Sequence, residues 1–421
     1  MASPKVLVIG GGVAGAVLAL ILKEKGYSPI VFEKHSMIGE VGATLSLMPN
    51  GIHVLGLPSV AVADWIYATA EGLKVFQEFK ADGTLLGQSD LPSSYKAKYD
   101  YEACGISRTA LSKRLSERLH EENIELREHW SLTGFSENDS GATAFFSNGE
   151  TVSGEFILGC DGLHSSTRAA LLKTKGLDPE HPPATYTGMT QTAGITRTPE
   201  KIAAMGPGLR NWYGDAIHVV SYTINASHSS WAITRAEEEG TKESWHLYNS
   251  NEREAAQRSL LASSGPGGVA QFEPCVQEMF ATAERLVKFG LYDRDELAPQ
   301  LWHGRRVVLV GDAAHPTSPH LGQGANQALE DCYRLGSALP DIGSDGKFDI
   351  DTLEGIFAAF SQERGPRTAA LVRAARHNGR LRVVTTGQED CEKRDRHIIE
   401  TWSDPAKIAA KFKFQIPGRW H

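Results

Sequence analysis

Apolar residues fall into two patterns along the chain. Short unbroken runs of β-forming residues end in Gly or in an acid: "VLVIG" at 6–10, "PIVFE" at 29–33, "FILGCDG" at 156–162 and "VVLVGD" at 307–312. Runs of this length, closed by turn residues, predict strands buried on both faces. The longest apolar stretch, "VLVIGGGVAGAVLALIL" at 6–22, is broken by four glycines and predicts a strand, a turn and a helix. Residues 1–57 as a whole read as strand, helix, strand and loop. A helical repeat follows within 103–122, where Leu111, Leu115 and Leu119 recur every fourth position. Short strands fill 123–172. Residues 183–235 alternate with period two, as antiparallel strands do: "ATYTGMTQTAGIT", then "HVVSYTINASHSSWAITRA", in which the polar "NASHSS" predicts a hairpin loop. "SSGPGG" at 263–268 predicts a loop between helices. Beyond 311 the chain is mostly helical, with a polar break at "DIGSDGKFD".

The order encloses a strand-rich antiparallel block between two α/β blocks. The expected class is α/β: a Rossmann-like dinucleotide-binding domain from the discontinuous segments 1–75, 100–180 and 290–345, an inserted antiparallel-sheet substrate domain from 76–99 and 181–289, and a helical C-terminal region, 346–421.

Composition narrows the function. The 421 residues are 41% hydrophobic and 22% charged, as in ordinary soluble globular proteins. A net charge of −8 without a basic tract argues against nucleic acid or an anionic membrane as partner. Cys104, Cys160, Cys275, Cys332 and Cys391 form no CxxC pair, which argues against a zinc site or a dithiol redox centre and fits a reducing compartment. The N-terminal apolar run follows a single Lys5 and precedes no convincing cleavage site. The expectation is a soluble cytoplasmic protein.

The candidate chemistry begins at Gly10-x-Gly12-x-x-Gly15, between the first strand and the first helix. Gly10 permits the tight turn, Gly12 lets backbone approach a pyrophosphate, and Gly15 lets helix and strand pack closely. The helix N-terminus offers unpaired N–H groups to the phosphate. The second strand ends in Glu33-Lys34, where a carboxylate can take the ribose hydroxyls. Two more strands end in Asp161-Gly162 and Gly311-Asp312, and Arg108 precedes a helix, within reach of a phosphate or ribose.

With these motifs in place, the chain resembles the single-component FAD-dependent aromatic monooxygenases with the para-hydroxybenzoate hydroxylase fold. The resemblance rests on Gly10, Gly12, Gly15 and Glu33, on Asp161-Gly162, on Gly311-Asp312 followed by Pro319 and Gly324, and on "GATLSLMPNGI" at 42–52. It implies a bound FAD. The first turn would hold the pyrophosphate, Asp312 the ribityl chain, and Gly322, Gly324, Ala325 and Asn326 the flavin ring, with Gly42 and Ala43 beside it and Arg108 on the cofactor. NADPH or NADH would reduce the flavin without a Rossmann domain of its own, since only one full glycine fingerprint is present. O₂ would then be carried to an aromatic, phenolic substrate through a flavin C4a-hydroperoxide, giving hydroxylation or, at a carboxylated carbon, oxidative decarboxylation.

The segment "NWYGDAIHVVSYTI" is similar to the HxxxY strand of the salicylate and 3-hydroxybenzoate 6-hydroxylase branch. That similarity implies His218 as catalytic base and Tyr222 as substrate contact. Period two puts both on one strand face, and imidazole titrates in the right range to take a phenolic proton. Trp212, Trp231 and Met189 are candidate pocket walls and His320 a second base candidate, while His315 reads as a packed loop residue. A homodimer is the family-level expectation. Two other readings stay open: epoxidation of an isoprenoid or oxidation of an indole alkaloid, as in fungal secondary metabolism, and a flavin-binding regulatory protein without turnover.

Overall fold

The computed structural model describes residues 3–39, 44–237, 247–343, 350–383 and 387–416. Gly42 and Ala43 lie outside the described residues. The strands Lys5–Ile9, Ser28–Glu33, Glu125–Glu128, Phe156–Gly159 and Val307–Leu309 form one five-stranded sheet, all neighbours parallel, with Lys5–Ile9 at its centre. Their apolar runs are the unbroken ones of the sequence, and Val6, Val8, Phe156, Leu158 and Val308 have no exposed surface. Helices Val13–Glu24, Arg108–Glu121 and Gly324–Ala338 pack on this sheet and on one another. The predicted stripe Leu111, Leu115 and Leu119 is the buried side of Arg108–Glu121.

The second large unit is a seven-stranded sheet. Its order is Ala283–Asp293, Thr185–Arg197, His228–Ala236, Ile217–Asn225, Gly208–Tyr213, Val75–Lys80 and Leu85–Ser89. All neighbours are antiparallel except Gly208–Tyr213 against Val75–Lys80. The expected six-residue loop "NASHSS" is shorter than its polarity suggested. Only Ala226 and Ser227 separate the two strands, because the Asn225 side chain accepts from the Ser227 and His228 N–H groups and closes the turn itself. Ser229 and Ser230 continue the strand as buried residues.

One face of this sheet packs against helices Ser250–Leu261 and Pro274–Ala281 in a separate apolar core. The other face meets several other parts of the chain, and the helices Gln388–Trp402 and Pro405–Gln415 pack on it around Phe76 and Tyr213. Tyr222 packs on Gly105 and bonds Thr44, which lie in the two-stranded pair Thr44–Leu47 and Cys104–Ser107. Met189 reaches the end of the 33-residue helix Ile350–Arg382 at Gly379, where His320 also packs.

That long helix locks the loop between Val307–Leu309 and Gly324–Ala338 in place. Arg364 donates to Asp331 Oδ1 at 2.6 Å and to Glu330 Oε2 at 2.7 Å, and Arg367 holds both oxygens of Glu330. The other Asp331 oxygen accepts from the Gly311 N–H and from His315. His315 is therefore more than a packed loop residue. Paired in this way, the Asp331 carboxyl is held down at about 2 against the upward push of its burial, with His315 and then Arg364 supplying the compensation. Removing one member of such a network strands buried charge. Arg364→Met is expected to cost about 3–5 kcal/mol, read from urea unfolding, whereas an exposed pair such as Arg258–Glu254 contributes under about 1 kcal/mol.

Candidate functional site

The glycine turn shows three different constraints. Gly10 has φ +104°, and a Cβ there would lie 2.4 Å from the Cys160 carbonyl oxygen. A Cβ on Gly15 would lie 1.9 Å from the Gly10 carbonyl oxygen. At Gly12 a Cβ would meet nothing within 4 Å, and the residue is exposed. Nothing in the described protein requires a glycine at position 12, so the requirement points to a group that approaches from outside. Glu33 closes the turn, accepting from the Gly11 N–H at 2.8 Å and the His35 N–H at 2.9 Å. The Lys34 side chain is exposed.

The other two strand tips converge on this turn by different means. Asp161 lies against Gly10, and its carboxylate caps the next helix: it accepts from Ser165 Oγ, the Thr167 N–H and Thr167 Oγ1. Asp161, an expected cofactor contact, thus spends its carboxylate on the start of the helix Ser166–Thr174. A Cβ on Gly311 would lie 3.8 Å from the Ala14 Cβ, which places the third tip beside the first helix. Asp312 is exposed, and its Oδ1 lies 3.9 Å from where a Gly324 Cβ would stand, at the mouth of the helix Gly324–Ala338. Pro319 and Gly322 (φ +62°) bound a tight turn before that helix, and Ala325 lies in its first turn. Asn326 departs from the expected role of flavin donor. It is fully buried, its Nδ2 donates to the Ser46 and Gly322 carbonyls, and its Oδ1 accepts from the Met48 N–H. Its side-chain amide ties the two walls of the site together and has no N–H left for a ligand. Arg108 is half-buried and opens its helix, rather than preceding it, with Ser107 as the cap. Arg168 is structural: it donates to the carbonyls of Ala313, Ala314 and His181.

These residues fit an FAD. Helices Arg108–Glu121 and Ser166–Thr174 have their first turns capped by Ser107 and Ser165. The helices behind the two glycine-bearing turns, Val13–Glu24 and Gly324–Ala338, have no side-chain cap among the described residues. Two open helix N-termini suit a pyrophosphate at one end and an electron-rich ring at the other. At the second turn and on the facing sheet, Ser46 Oγ, Ser318 Oγ, His320 Nε2, Gln323 Nε2 and His218 Nδ1 are among the buried polar atoms without a hydrogen-bond partner among the described residues. Buried polar atoms rarely stay unpaired, and a ligand or water at these positions would complete them.

His218 stands on the sheet face that looks toward this region. The pairing places Asn211, Tyr213, Val220, Tyr222, Thr234 and Gln191 on the same face. His218 Nε2 lies 2.9 Å from Asn211 Oδ1. Burial holds its pKa well below the ordinary value, and the charges of Arg382, His320 and Arg394 push the same way. Tyr222 shares the face, but its hydroxyl is 2.6 Å from Thr44 Oγ1, which fixes the ring against the Thr44–Leu47 strand. Met189 and His320 belong to this side, in contact around Gly379. Trp212 and Trp231 do not. Register puts Trp212 opposite Val219 and Trp231 opposite Ser221, on the far face, where Trp212 stacks on Phe79 and Trp231 meets Phe280 edge to face. They are core residues, and the expectation that they wall the pocket is corrected. The residues that the sequence reading missed are Asn211 and Glu78, polar residues in buried strands, and burial was the one signal that could have exposed them.

Two predictions follow from these environments. Gly12→Ala is expected to leave the unfolding free energy of FAD-free protein within about 0.5 kcal/mol while weakening FAD binding in a fluorescence titration, whereas Gly15→Ala should lower stability itself, because the added carbon collides with backbone. The second concerns pH. Burial first, and then Arg382, hold the His320 pKa down at about 3, against 6.5 for a free imidazole. The unfolded chain therefore takes up protons that the folded chain refuses, and stability is full above pH 6.5 and lost as pH falls toward 3. Between pH 7 and 5, His320→Gln should lose on the order of 2 kcal/mol less stability than the unaltered protein in urea unfolding.

Comparison with known proteins agrees with this geometry. The family model for the FAD binding domain matches residues 3–375. The 3-amino-4-hydroxybenzoate 2-monooxygenase of Streptomyces cremeus is 28% identical over 418 residues, covering 96% of this chain and 94% of the relative. The 3-hydroxybenzoate 6-hydroxylase of Klebsiella oxytoca is 25% identical over 383 residues, covering 90% and 88%. Among solved structures, Klebsiella pneumoniae HpxO complexed with FAD and uric acid has the same fold, with a TM-score of 0.81 at 21% identity, covering 99% of this chain and 97% of that one. Among the described residues no helix is long and apolar enough to cross a membrane. With two open helix ends leading from glycine turns and the family match spanning most of its length, the chain belongs to the FAD-binding-domain family and is an FAD-dependent monooxygenase that uses NAD(P)H and O₂.

Proposed function

We propose that the substrate is a small phenolic ring seated between the His218 face of the seven-stranded sheet and the Pro319–Gly324 turn, with His218 Nδ1 accepting the phenolic proton. FAD, when bound, supplies the activated oxygen. The chain holds that cofactor with the Gly10–Gly15 turn, Glu33, Asp312 and the N–H groups at the start of Gly324–Ala338, and the sheet face covers the reacting edge from water.

The observation that carries this reading is the unpartnered, buried Nδ1 of His218 on a ring whose Nε2 is already engaged by Asn211. A neutral imidazole anchored on one side presents a lone pair on the other. Removing the phenolic proton raises electron density on the ring, as attack by an electrophilic oxygen requires. Burial, which lowers the His218 pKa, favours the unprotonated ring. It also makes an isolated imidazolium costly here, and the phenolate left beside it would provide the counter-charge. The names of the relatives point the same way: the Streptomyces cremeus and Klebsiella oxytoca enzymes are named for ring-hydroxylated benzoates.

The test is NAD(P)H oxidation by the yellow, FAD-loaded protein across 3-amino-4-hydroxybenzoate, 3-hydroxybenzoate, salicylate and 6-hydroxynicotinate, with products identified by mass spectrometry. A hydroxylated product is expected from at least one phenol, and His218→Asn should lower its formation about 100-fold or more while leaving FAD bound. Full turnover in His218→Asn would instead favour chemistry that needs no proton acceptor, such as epoxidation.

A further inference from the structure

Behind His218 runs a chain of buried polar groups that the oxygenation chemistry alone does not require. Asn211 Oδ1 faces His218 Nε2 at 2.9 Å, and Asn211 Nδ2 donates to Glu78 Oε1 at 3.3 Å. The other carboxylate oxygen, Glu78 Oε2, accepts the Tyr213 hydroxyl at 2.6 Å. All four side chains come from adjacent strands of one sheet, and Glu78, Asn211 and His218 are 3%, 2% and 1% exposed. A buried carboxylic acid on a strand costs stability unless something is gained from it. Apolar residues on this face would pack without that cost.

The direction of each hydrogen bond follows from the donors available. A carboxylate only accepts, so it turns the Asn211 amide with Nδ2 toward itself. Oδ1 then points at His218 and can only accept, which requires the imidazole proton on Nε2. Nδ1 is left without a proton. Were Glu78 neutral, its O–H could donate to Oδ1 and turn the amide round, and the imidazole proton would move to Nδ1 and close the lone pair.

We propose that Glu78 and Asn211 are positioning residues for His218, fixing its neutral ring in the form that carries the proton on Nε2 and leaves the Nδ1 lone pair open to the substrate. Both Glu78 oxygens receive donors, Asn211 Nδ2 and the Tyr213 hydroxyl, which is the arrangement a carboxylate takes. Burial raises its carboxyl pKa, and Lys411 from the helix Pro405–Gln415, the Tyr213 hydroxyl, Arg382 from the end of the long helix and the Asn211 amide offset part of that rise. Arg394, from the helix Gln388–Trp402, lies 5.3 Å from the Tyr213 ring, and His320 faces His218 from the turn Pro319–Leu321. Lys411 and Arg382 thereby act on Glu78, and Arg394 and His320 on His218. The lone pair matters only if His218 is the proton acceptor, so the functional meaning rests on that reading, whereas the proton's position on the ring does not.

The experiment is nitrogen NMR of FAD-loaded protein labelled with ¹⁵N-histidine at pH 7.5, without substrate, with the His218 resonances assigned by their loss in His218→Asn. In the unaltered protein, Nε2 is expected to carry the proton and Nδ1 to show the shift of an unprotonated ring nitrogen. Glu78→Gln, whose amide can donate or accept, should give comparable populations of both tautomers, and Asn211→Leu should do the same. Asn211→Asp, which would share one proton with the Glu78 carboxyl and keep an accepting oxygen toward His218, should retain the single Nε2–H form. Bound flavin absorbance and an unchanged melting temperature certify each variant, and the isosteric Glu78→Gln carries the test if Asn211→Leu does not fold. A proton on Nδ1 in the unaltered protein, or a single Nε2–H form that persists in Glu78→Gln, would overturn the proposal. Full turnover by His218→Asn alongside the expected tautomer shifts would sink the base assignment and leave the positioning intact.

Discussion

The site depends on one buried carboxylate. Asp331 has no exposed surface, and its two oxygens receive the Gly311 N–H, His315 and Arg364. These three partners come from the end of a parallel strand, from the loop that follows it and from a helix 33 residues further on. Their common acceptor sets where the Gly311–Gly324 loop runs and, through it, where the helix Gly324–Ala338 begins. A buried ion pair of this kind is a poor source of net stability. What it provides is a single position for a loop that would otherwise have many, and an open helix end is useful to a cofactor only if it stays in one place.

Neighbouring pieces extend the same logic. Asn326 spends its amide on Ser46, Met48 and Gly322, which holds the second turn against the Thr44–Leu47 strand. Tyr222 binds that strand to the seven-stranded sheet through Thr44. A continuous path of hydrogen bonds therefore links the cofactor turn to the sheet that carries His218. Such bonding keeps the second turn and the sheet in register, so polar side chains far from any reacting atom decide how well the site is formed.

Local sequence disclosed the parts whose cause is local. The glycine turn, the buried parallel strands and the Leu111, Leu115, Leu119 stripe follow from steric limits and periodicity over a few residues. Period two also put His218 and Tyr222 on one face. It could not say which face meets the cofactor half, and Trp212 and Trp231 were assigned to the pocket although register turns them into the opposite core. Asp161 and Asn326 look from sequence like ligand contacts, but the Asp161 carboxylate caps the helix that follows it, and the Asn326 amide reaches Ser46, 280 residues away in the chain. Glu78 and Asn211 are separated by 133 residues, and Asp331 and Arg364 by 33, so no window of sequence contains either pair.

The most direct measurement is a crystal structure of the protein with FAD and a bound phenolic acid that it does not turn over. The account predicts the pyrophosphate at the start of Val13–Glu24, the flavin ring at Gly322–Gly324, and the phenolic oxygen within hydrogen-bond distance of His218 Nδ1. A phenolic oxygen held by other side chains, with His218 Nδ1 still unpartnered or the ring turned into the sheet, would contradict it.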